Sequence, residues 1–186
     1  GNDLFVETVT GNITVLAGSS TGVGTDTLIS VETAVITGNN SDNIIDLSAF
    51  GGLAIVNGGD GSDLITGTAN ADLLRGQGGN DTINGLAGDD TINGGGGNDL
   101  LNGGTGNDGI SGYTGDDIIN GDDGTDLLVG HDGADSVFGG TGDDTLVGGG
   151  GTTVPGEGDE ADELTGGAGA DLFDTGAEAQ DLNAGE

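Results

Sequence analysis

The chain has 186 residues, of which 45 are glycine, and its 33 acidic side chains are accompanied by a single basic one, for a net charge of −32. This charge cannot be neutralised within the chain, so an external cation is implied. The same charge would repel nucleic acid and anionic membranes, which are therefore poor partners. The lack of cysteine excludes disulfides, and with only one histidine a Cys/His zinc site is excluded as well. No stretch approaches the roughly 20 apolar residues of a membrane span.

Residues 1–57 are rich in Val, Ile and Thr, as in LFVETVTGNITVLAG and DTLISVETAVITG. These runs predict strands, and none has a helical period. A degenerate repeat lies around Asp42 and Ile44, three residues out of frame with the repeats that follow. We interpret residues 1–57 as a strand-rich, metal-poor section resembling a β-solenoid, with a small β-domain packed on the repeats as the alternative. The opening GNDLFV matches the tail of the later repeat, which predicts that the chain is part of a longer polypeptide.

One short motif in this section matches a catalytic pattern. Residues Gly18 to Gly22 fit the G-x-S-x-G nucleophile elbow. The elbow requires a strand–turn–helix context and a histidine partner, but no helix is predicted here and His131 lies within a repeat. We therefore expect no catalysis and predict that the chain is not an enzyme.

Residues 58–147 divide into ten blocks of nine residues, from GGDGSDLIT to GGTGDDTLV. Position 1 is glycine and position 6 is aspartate in all ten blocks, while position 4 is glycine in all but one, where Asn70 replaces it. Position 8 is always Ile, Leu or Val. A fixed period of this kind is typical of stacked repeats, so the sequence predicts an all-β solenoid.

Each block predicts one turn and one strand. Positions 1 to 6 have turn chemistry, and positions 7 to 9 form a very short strand with one inward side chain. Two blocks would close a coil of eighteen residues, and coils stacked about 4.8 Å apart would bring equal positions into register. The position-6 aspartates would then form two columns, one of Asp63, Asp81, Asp99, Asp117 and Asp135, the other of Asp72, Asp90, Asp108, Asp126 and Asp144.

Such columns of carboxylates would repel one another without a cation between successive coils. Calcium suits the arrangement because it takes roughly six to eight oxygen ligands from carboxylates and carbonyls, whereas magnesium demands a tight octahedron and retains its waters. Two columns of five aspartates, each with four gaps, predict about eight calcium ions within residues 58–147. One inward aliphatic residue per block is a thin core, so ion binding must contribute to folding itself.

The blocks resemble the RTX, or haemolysin-type, calcium-binding nonapeptide G-G-x-G-x-D-x-U-x, in which U is a large aliphatic residue. The resemblance implies a right-handed parallel β-roll whose turns bind calcium through backbone carbonyls and the position-6 aspartates of neighbouring turns. It also implies type I secretion without an N-terminal signal peptide. The carbonyl ligands that we assign on this basis belong to the position-4 glycines, Gly61, Gly79, Gly88, Gly97, Gly106, Gly115, Gly124, Gly133 and Gly142.

The repeat pattern weakens after residue 147. Residues 148–165 keep the frame, but Thr153 replaces the aspartate and Pro155 the aliphatic residue, which predicts a loop insertion before a degenerate repeat. Asp162 belongs to that repeat, and Asp171 belongs to a last repeat within residues 166–186, which end in a fading C-terminal edge. Both aspartates are further candidate calcium ligands.

Outward positions carry weaker signals. At position 9 we expect a ladder of side-chain amides, Asn84, Asn102 and Asn120, and at position 7 an exposed row of Leu64, Thr82, Leu100 and Ile118. His131 is interpreted as a solvated turn residue and Arg75 as a lone surface charge. The position-5 acids either add charge near the ions or are simply solvated: Asp89, Asp116 and Asp143.

The sequence predicts a calcium-folded structural module of a large bacterial protein that is secreted or held at the cell surface, with calcium as its cofactor and partner. One alternative is a subunit of an extracellular filament or surface layer, in which rolls associate with one another. A second alternative is the C-terminal part of a type I-secreted enzyme.

Overall fold

The structure, a computed structural model, describes residues 32–149 and 162–174 in full, together with the backbone of five further strands. All regular elements in this part of the chain are strands, and it contains no helix long and apolar enough to cross a membrane. The strands are β1 (Leu4–Thr8), β2 (Ile13–Leu16), β3 (Ser19–Gly22), β4 (Gly24–Asp26), β5 (Thr33–Thr37), β6 (Ile44–Asp46), β7 (Leu53–Asp60), β8 (Leu64–Thr66), β9 (Leu73–Gly78), β10 (Thr82–Ala87), β11 (Thr91–Gly96), β12 (Leu100–Thr105), β13 (Gly109–Thr114), β14 (Ile118–Asp123), β15 (Leu127–Asp132), β16 (Ser136–Thr141), β17 (Thr145–Val147), β18 (Glu163–Ala168), β19 (Leu172–Asp174) and β20 (Asp181–Asn183).

The strands form two sheets that share the successive coils of a β-solenoid. One sheet has nine strands in the order β1-β5-β7-β9-β11-β13-β15-β17-β19, and the other has eleven in the order β20-β18-β16-β14-β12-β10-β8-β6-β2-β3-β4. From β5 onward, consecutive strands alternate between the sheets and every pairing is parallel. Only β2, β3 and β4 pair antiparallel. The predicted all-β solenoid of stacked parallel strands is confirmed.

The eighteen-residue coil is also confirmed by the strand register. Thr82 pairs with Leu100, and Leu100 with Ile118, so equal positions of every second block lie side by side. The offset grows to 27 where Ser136 pairs with Glu163, on either side of the segment that contains Thr153 and Pro155. Those two residues lie outside the described part of the chain, so the predicted loop insertion stays a prediction, as do the section boundaries.

The strands are longer than the predicted three residues. Most span six, from position 7 through position 3 of the next block, as in Thr82–Ala87. The parallel ladder continues through the glycines, because Leu86 pairs with Gly104 just as Asn84 pairs with Asn102. Neighbouring coils offer hydrogen-bond partners at these positions, and this pairing overrides the turn preference of glycine.

The degenerate repeat before the main run was assigned one residue too early. Ile44 pairs with Leu64 and is 43% exposed, whereas Ile45 pairs with Ile65 and is fully buried. Asn43, not Asp42, therefore occupies the position-6 place. The coil that joins these strands is twenty residues long, two more than the later coils, which shifts the frame.

The core is a single file of side chains between the two sheets. The position-8 residues of the ten blocks are 0–1% exposed, whereas positions 7 and 9 point outward as predicted. These buried residues are Ile65, Leu74, Ile83, Ile92, Leu101, Ile110, Ile119, Leu128, Val137 and Leu146. The position-1 glycines are buried as well, which brings the backbone close to the position-6 side chains.

Candidate metal-binding columns

The ten position-6 aspartates of residues 58–147 lie buried in the two predicted columns. Within each column, the backbone N–H of one aspartate donates to Oδ1 of the aspartate one coil further, at 2.7–2.9 Å, as from Asp81 to Asp99 and from Asp99 to Asp117. Asp162 and Asp171 continue the two columns, because they accept from the N–H groups of Asp135 and Asp144. Each carboxylate therefore has one oxygen committed to the backbone.

The second carboxylate oxygen has no such partner in nine of the ten blocks. It is buried and makes no hydrogen bond in Asp63, Asp81, Asp90, Asp99, Asp108, Asp117, Asp126, Asp135 and Asp144. Burying an ionised oxygen without a partner is strongly unfavourable, so each of these atoms calls for a proton or a cation.

The unpartnered oxygen faces a space that only glycine leaves open. A Cβ on Gly76 would meet Oδ2 of Asp81 and would lie 2.7 Å from the carbonyl oxygen of Gly94, one coil further. The same arrangement recurs in the other blocks, with the position-1 carbonyl of the next coil at 2.5–3.0 Å from the ideal Cβ. Carboxylate and carbonyl oxygens thus converge on one small cradle per block.

The carboxylates are held in an environment that resists ionisation. Burial raises the pKa of Asp81, Asp90 and Asp117 to about 7, and the charges of neighbouring aspartates in the column add to the effect. Burial likewise raises the pKa of Asp99 to about 6. Perturbed carboxyls in a row are typical of functional sites, although structural networks also produce them.

Asp72 differs from the other nine aspartates. Its Oδ2 accepts a hydrogen bond from the backbone N–H of Thr68 at 2.6 Å, and its Oδ1 accepts from the Thr68 hydroxyl at 3.0 Å and from the N–H of Ala54 at 2.7 Å. The hydroxyl of Thr68 also accepts from the N–H of Asn70, the residue that replaces the position-4 glycine. Thr68 thus satisfies the carboxylate within its own block, and the backbone N–H of Asn70 holds the Thr68 hydroxyl. The replacement of glycine by Asn70 was visible in the sequence, but the hydrogen bonds that satisfy Asp72 in this block were not.

The position-4 glycines have positive φ, between 109° and 159°, as a turn of this shape requires. Their carbonyls lie against the position-4 backbone of the next coil, as that of Gly61 lies against Gly79. The carbonyls beside Oδ2 instead belong to the position-1 glycines, whose invariance we had attributed to turn formation. The ligand role assigned to the position-4 carbonyls stays a prediction.

Position 5 forms a ladder that the sequence did not reveal. Oδ1 of Asp89 accepts from the N–H of Asn107, and Oδ1 of Asp116 accepts from the N–H of Ala134. Asp143 does the same for Ala170 at 2.9 Å. These acids hold the turns in register. They alternate with asparagines that make the same bond, as between Asn80 and Asn98.

Two outward predictions are confirmed. Nδ2 of Asn102 donates to Oδ1 of Asn84, and Nδ2 of Asn120 donates to Oδ1 of Asn102, both at 2.8 Å. In the position-7 row, the three aliphatic members are 37–46% exposed: Leu64, Leu100 and Ile118.

His131 is not simply solvated. It is half-buried, and its ring stacks on Tyr113 with a centroid separation of 4.9 Å. Arg75 is half-buried on the same sheet.

Ser20 of the G-x-S-x-G motif lies inside β3, which pairs antiparallel with β4, so the strand–turn–helix context of an elbow does not occur there.

The donor set of the columns fits calcium. It consists of oxygen alone, from carboxylates and carbonyls, with no imidazole or thiolate. In the described residues, no three His, Cys, Asp or Glu side chains converge on one point.

The family model of the RTX calcium-binding nonapeptide repeat (4 copies) matches residues 57–92, 76–110, 93–128, 103–137, 120–154 and 158–179, more than half of the chain. No curated protein matches the chain.

Proposed function

The chain belongs to the RTX calcium-binding nonapeptide repeat family, and we propose that it is a structural module that folds around calcium through the carboxylates of its two columns. The repeat solenoid is a calcium-binding scaffold, not a catalytic fold. The observation that carries the proposal is the set of nine buried Oδ2 atoms without a hydrogen-bond partner. Calcium supplies the positive charge that these oxygens need in order to stay ionised.

Each aspartate has a divided role in this proposal. Oδ1 fixes the carboxylate to the backbone of the preceding coil, as Oδ1 of Asp99 does with the N–H of Asp81. Oδ2 is then left for the ion, with the position-1 carbonyl of the next coil, here that of Gly112, as a second oxygen. The sequence predicts about eight ions within residues 58–147; because Thr68 satisfies Asp72 and removes it as a ligand, we propose about seven.

The setting that we propose is extracellular. RTX repeats are typical of secreted bacterial proteins. Extracellular calcium modules bind with dissociation constants of about 10⁻⁴–10⁻³ M, so the sites would stay empty in a low-calcium cytosol and fill outside. Self-repulsion among 33 acidic side chains would then keep the chain extended for type I export.

Circular dichroism tests the coupling of folding to calcium. We expect a largely unfolded chain after calcium removal and a cooperative gain of β-structure when millimolar calcium is added. Magnesium at the same ionic strength serves as the control and should produce little structure. A full β-signal in the calcium-free protein would overturn the proposal.

A second candidate function, self-assembly into a filament or surface layer, is favoured by one observation. The aliphatic residues Ile44, Leu64, Leu100 and Ile118 form an exposed row along the eleven-stranded sheet, interrupted by Thr82. Large side chains are not needed at these positions for the roll to fold. Light scattering in calcium should then detect oligomers that a Leu100→Thr, Ile118→Thr variant loses, and a monomer in both proteins would rule out this candidate.

A further inference from the structure

A slot opens on the outer face of the nine-stranded sheet, within the column of position-2 residues. In register, this column contains Gln77, Gly95, Tyr113 and His131. Gln77 and Tyr113 form the two ends of the slot, and Gly94–Gly96 form its floor. The slot is an open groove with a volume of about 350 Å³, which is at the small end of ligand-binding pockets.

The slot lies where a further ring would continue the stack of Tyr113 and His131 at the spacing of the coils. Tyr113 and His131 stack with centroids 4.9 Å apart and planes at 16°, which is close to the strand spacing of about 4.8 Å. Gly95 lies one coil away on the opposite side of Tyr113 and has no side chain. A planar ring above Gly95 would therefore stack on Tyr113 at the same spacing.

The side of the slot carries the only basic side chain in the chain. Arg75 and Asn93 are paired neighbours at position 9, two residues before Gln77 and Gly95, and so project from the same face of the sheet. No ion pair holds Arg75 within the part of the chain that the structure describes. A guanidinium can bind a carboxylate with two parallel hydrogen bonds.

The two ends of the slot are side chains in a backbone conformation that favours glycine. Gln77 and Tyr113 have φ values of 86° and 85°, and His131 beyond Tyr113 has 81°. Position 2 is glycine in other blocks, as at Gly95 and Gly104. Leu86 and Asp122 in the other sheet also have positive φ, so the conformation belongs to position 2 and not to the slot alone.

We propose that this slot binds a small planar ring that carries a single carboxylate, of the aromatic monocarboxylate class. The ring stacks on Tyr113 above Gly95, and its carboxylate pairs with Arg75 while Asn93 donates from the side. A monoanion is favoured over a polyanion because the rest of the protein is strongly negative and would repel additional charge.

The composition of the chain makes the test specific. Tyr113 is the only tyrosine, so its ring gives a single set of NMR signals. Benzoate titrated into the calcium-saturated protein should shift the Tyr113 ring, the His131 ring and the Gly95 amide with one dissociation constant of about 1 mM. Benzamide, which lacks the charge, and cyclohexanecarboxylate, which lacks the aromatic ring, should each bind about tenfold more weakly.

Two variants separate the proposed contacts. Arg75→Gln should weaken benzoate binding about tenfold and leave benzamide unchanged. Tyr113→Gly should abolish the Gly95 shift without harming calcium-induced folding, because glycine is favoured at its φ. Leu86→Gly is the matched control, since it relieves the same strain, at φ 83°, in the other sheet.

Binding in the control should equal that of the parent protein. The proposal is overturned if benzoate gives no saturable shift, if the three probes bind equally, or if Arg75→Gln binds benzoate as the parent does.

Discussion

The blocks of Asp72 and Asp90 lie one coil apart in the same column, yet they treat their carboxylates differently. Their turns also differ, because positions 2 and 4 have positive φ at Leu86 and Gly88 but not at Thr68 and Asn70. The Asp72 carboxylate is satisfied at both oxygens, by Thr68 and Ala54. The Asp90 carboxylate has only Oδ1 satisfied, by the N–H of Asp72, and its Oδ2 is buried without a partner. The need for a cation is therefore decided block by block.

A similar contrast separates the first aspartate of each column from the uncharged residue one coil before it. Ala54 and Asn43 stand one coil before Asp72 and Asp63, and neither carries a charge. Each column is thus preceded by an uncharged residue that needs no cation. The block that satisfies its own carboxylate has Thr68 at position 2 and Asn70 at position 4, and its turn lacks the positive φ found at these positions in the Asp90 block.

The largest effect should come from breaking a column at its centre. Asp99→Ala removes the acceptor of the Asp81 N–H and one unpartnered oxygen in the middle of five aspartates. We expect it to lower the free energy of unfolding in calcium by about 3 kcal/mol and to lose more calcium than Asp63→Ala, which lies at a column end. Equal calcium loss in both variants by titration calorimetry would contradict the stacked arrangement.

Thr68→Val should weaken the hydrogen bonding that satisfies the Asp72 carboxylate. Valine keeps the shape but removes the hydroxyl that donates to Oδ1 of Asp72 and accepts from the N–H of Asn70. Both Asp72 oxygens keep a backbone donor, but the loss of the hydroxyl bond to the charged carboxylate should cost about 1.5–3 kcal/mol of stability in denaturant unfolding. Thr66→Val, on the half-buried outer face of β8, is the control, and a loss no larger than that of the control would argue against the role of Thr68.

In the calcium-free chain, acid should favour the folded state. Burial raises the pKa of Asp81, Asp90 and Asp117 to about 7, compared with about 3.9 in an unfolded chain. The stabilisation from protonation is fully present below about pH 3.9 and is lost as the pH rises through about 7.

Circular dichroism of calcium-depleted protein should therefore detect more β-structure at pH 4 than at pH 8. With calcium present the trend should reverse, because protons compete with the ion for the carboxylates. A calcium-free chain that is equally unfolded at both pH values would show that burial does not raise the pKa of these carboxyls.

The smallest effect concerns the amide ladder, which lies outside the columns. Asn102 bonds to Asn84 on one side and to Asn120 on the other. Asn102→Ala should lower stability by about 0.5–1.5 kcal/mol, because the amides are half-exposed, and should leave the calcium titration unchanged. A change in calcium stoichiometry would mean that the outer faces and the columns are coupled.

The period of the sequence predicted the coil length, the register, the two columns, the inward position-8 residues and the asparagine ladder. These features depend only on which residues recur at fixed spacing, as with Asn84 and Asn102. The length of the strands could not be predicted, since positions 1 to 3 have turn propensity and pair only because a neighbouring coil is present.

The satisfied carboxylate of Asp72 and the stack of Tyr113 on His131 could not be predicted either. Both depend on the backbone conformation of the turn, which places Thr68 against Asp72 and gives Tyr113 its positive φ. The frame error at Asp42 and Ile44 came from a coil two residues longer than the eighteen-residue coils of residues 58–147, and a nine-residue period cannot reveal that length.

Calorimetric calcium titration of a matched pair, Asp72→Asn and Asp90→Asn, tests the central claim most directly. Both substitutions remove one charge from the same column and keep the size of the side chain. Asp90→Asn should bind fewer calcium ions and fold at higher calcium concentration than the parent protein, whereas Asp72→Asn should bind the same number of ions at the same affinity. An equal loss of calcium in the two variants would contradict the claim that the unpartnered oxygens are the calcium ligands.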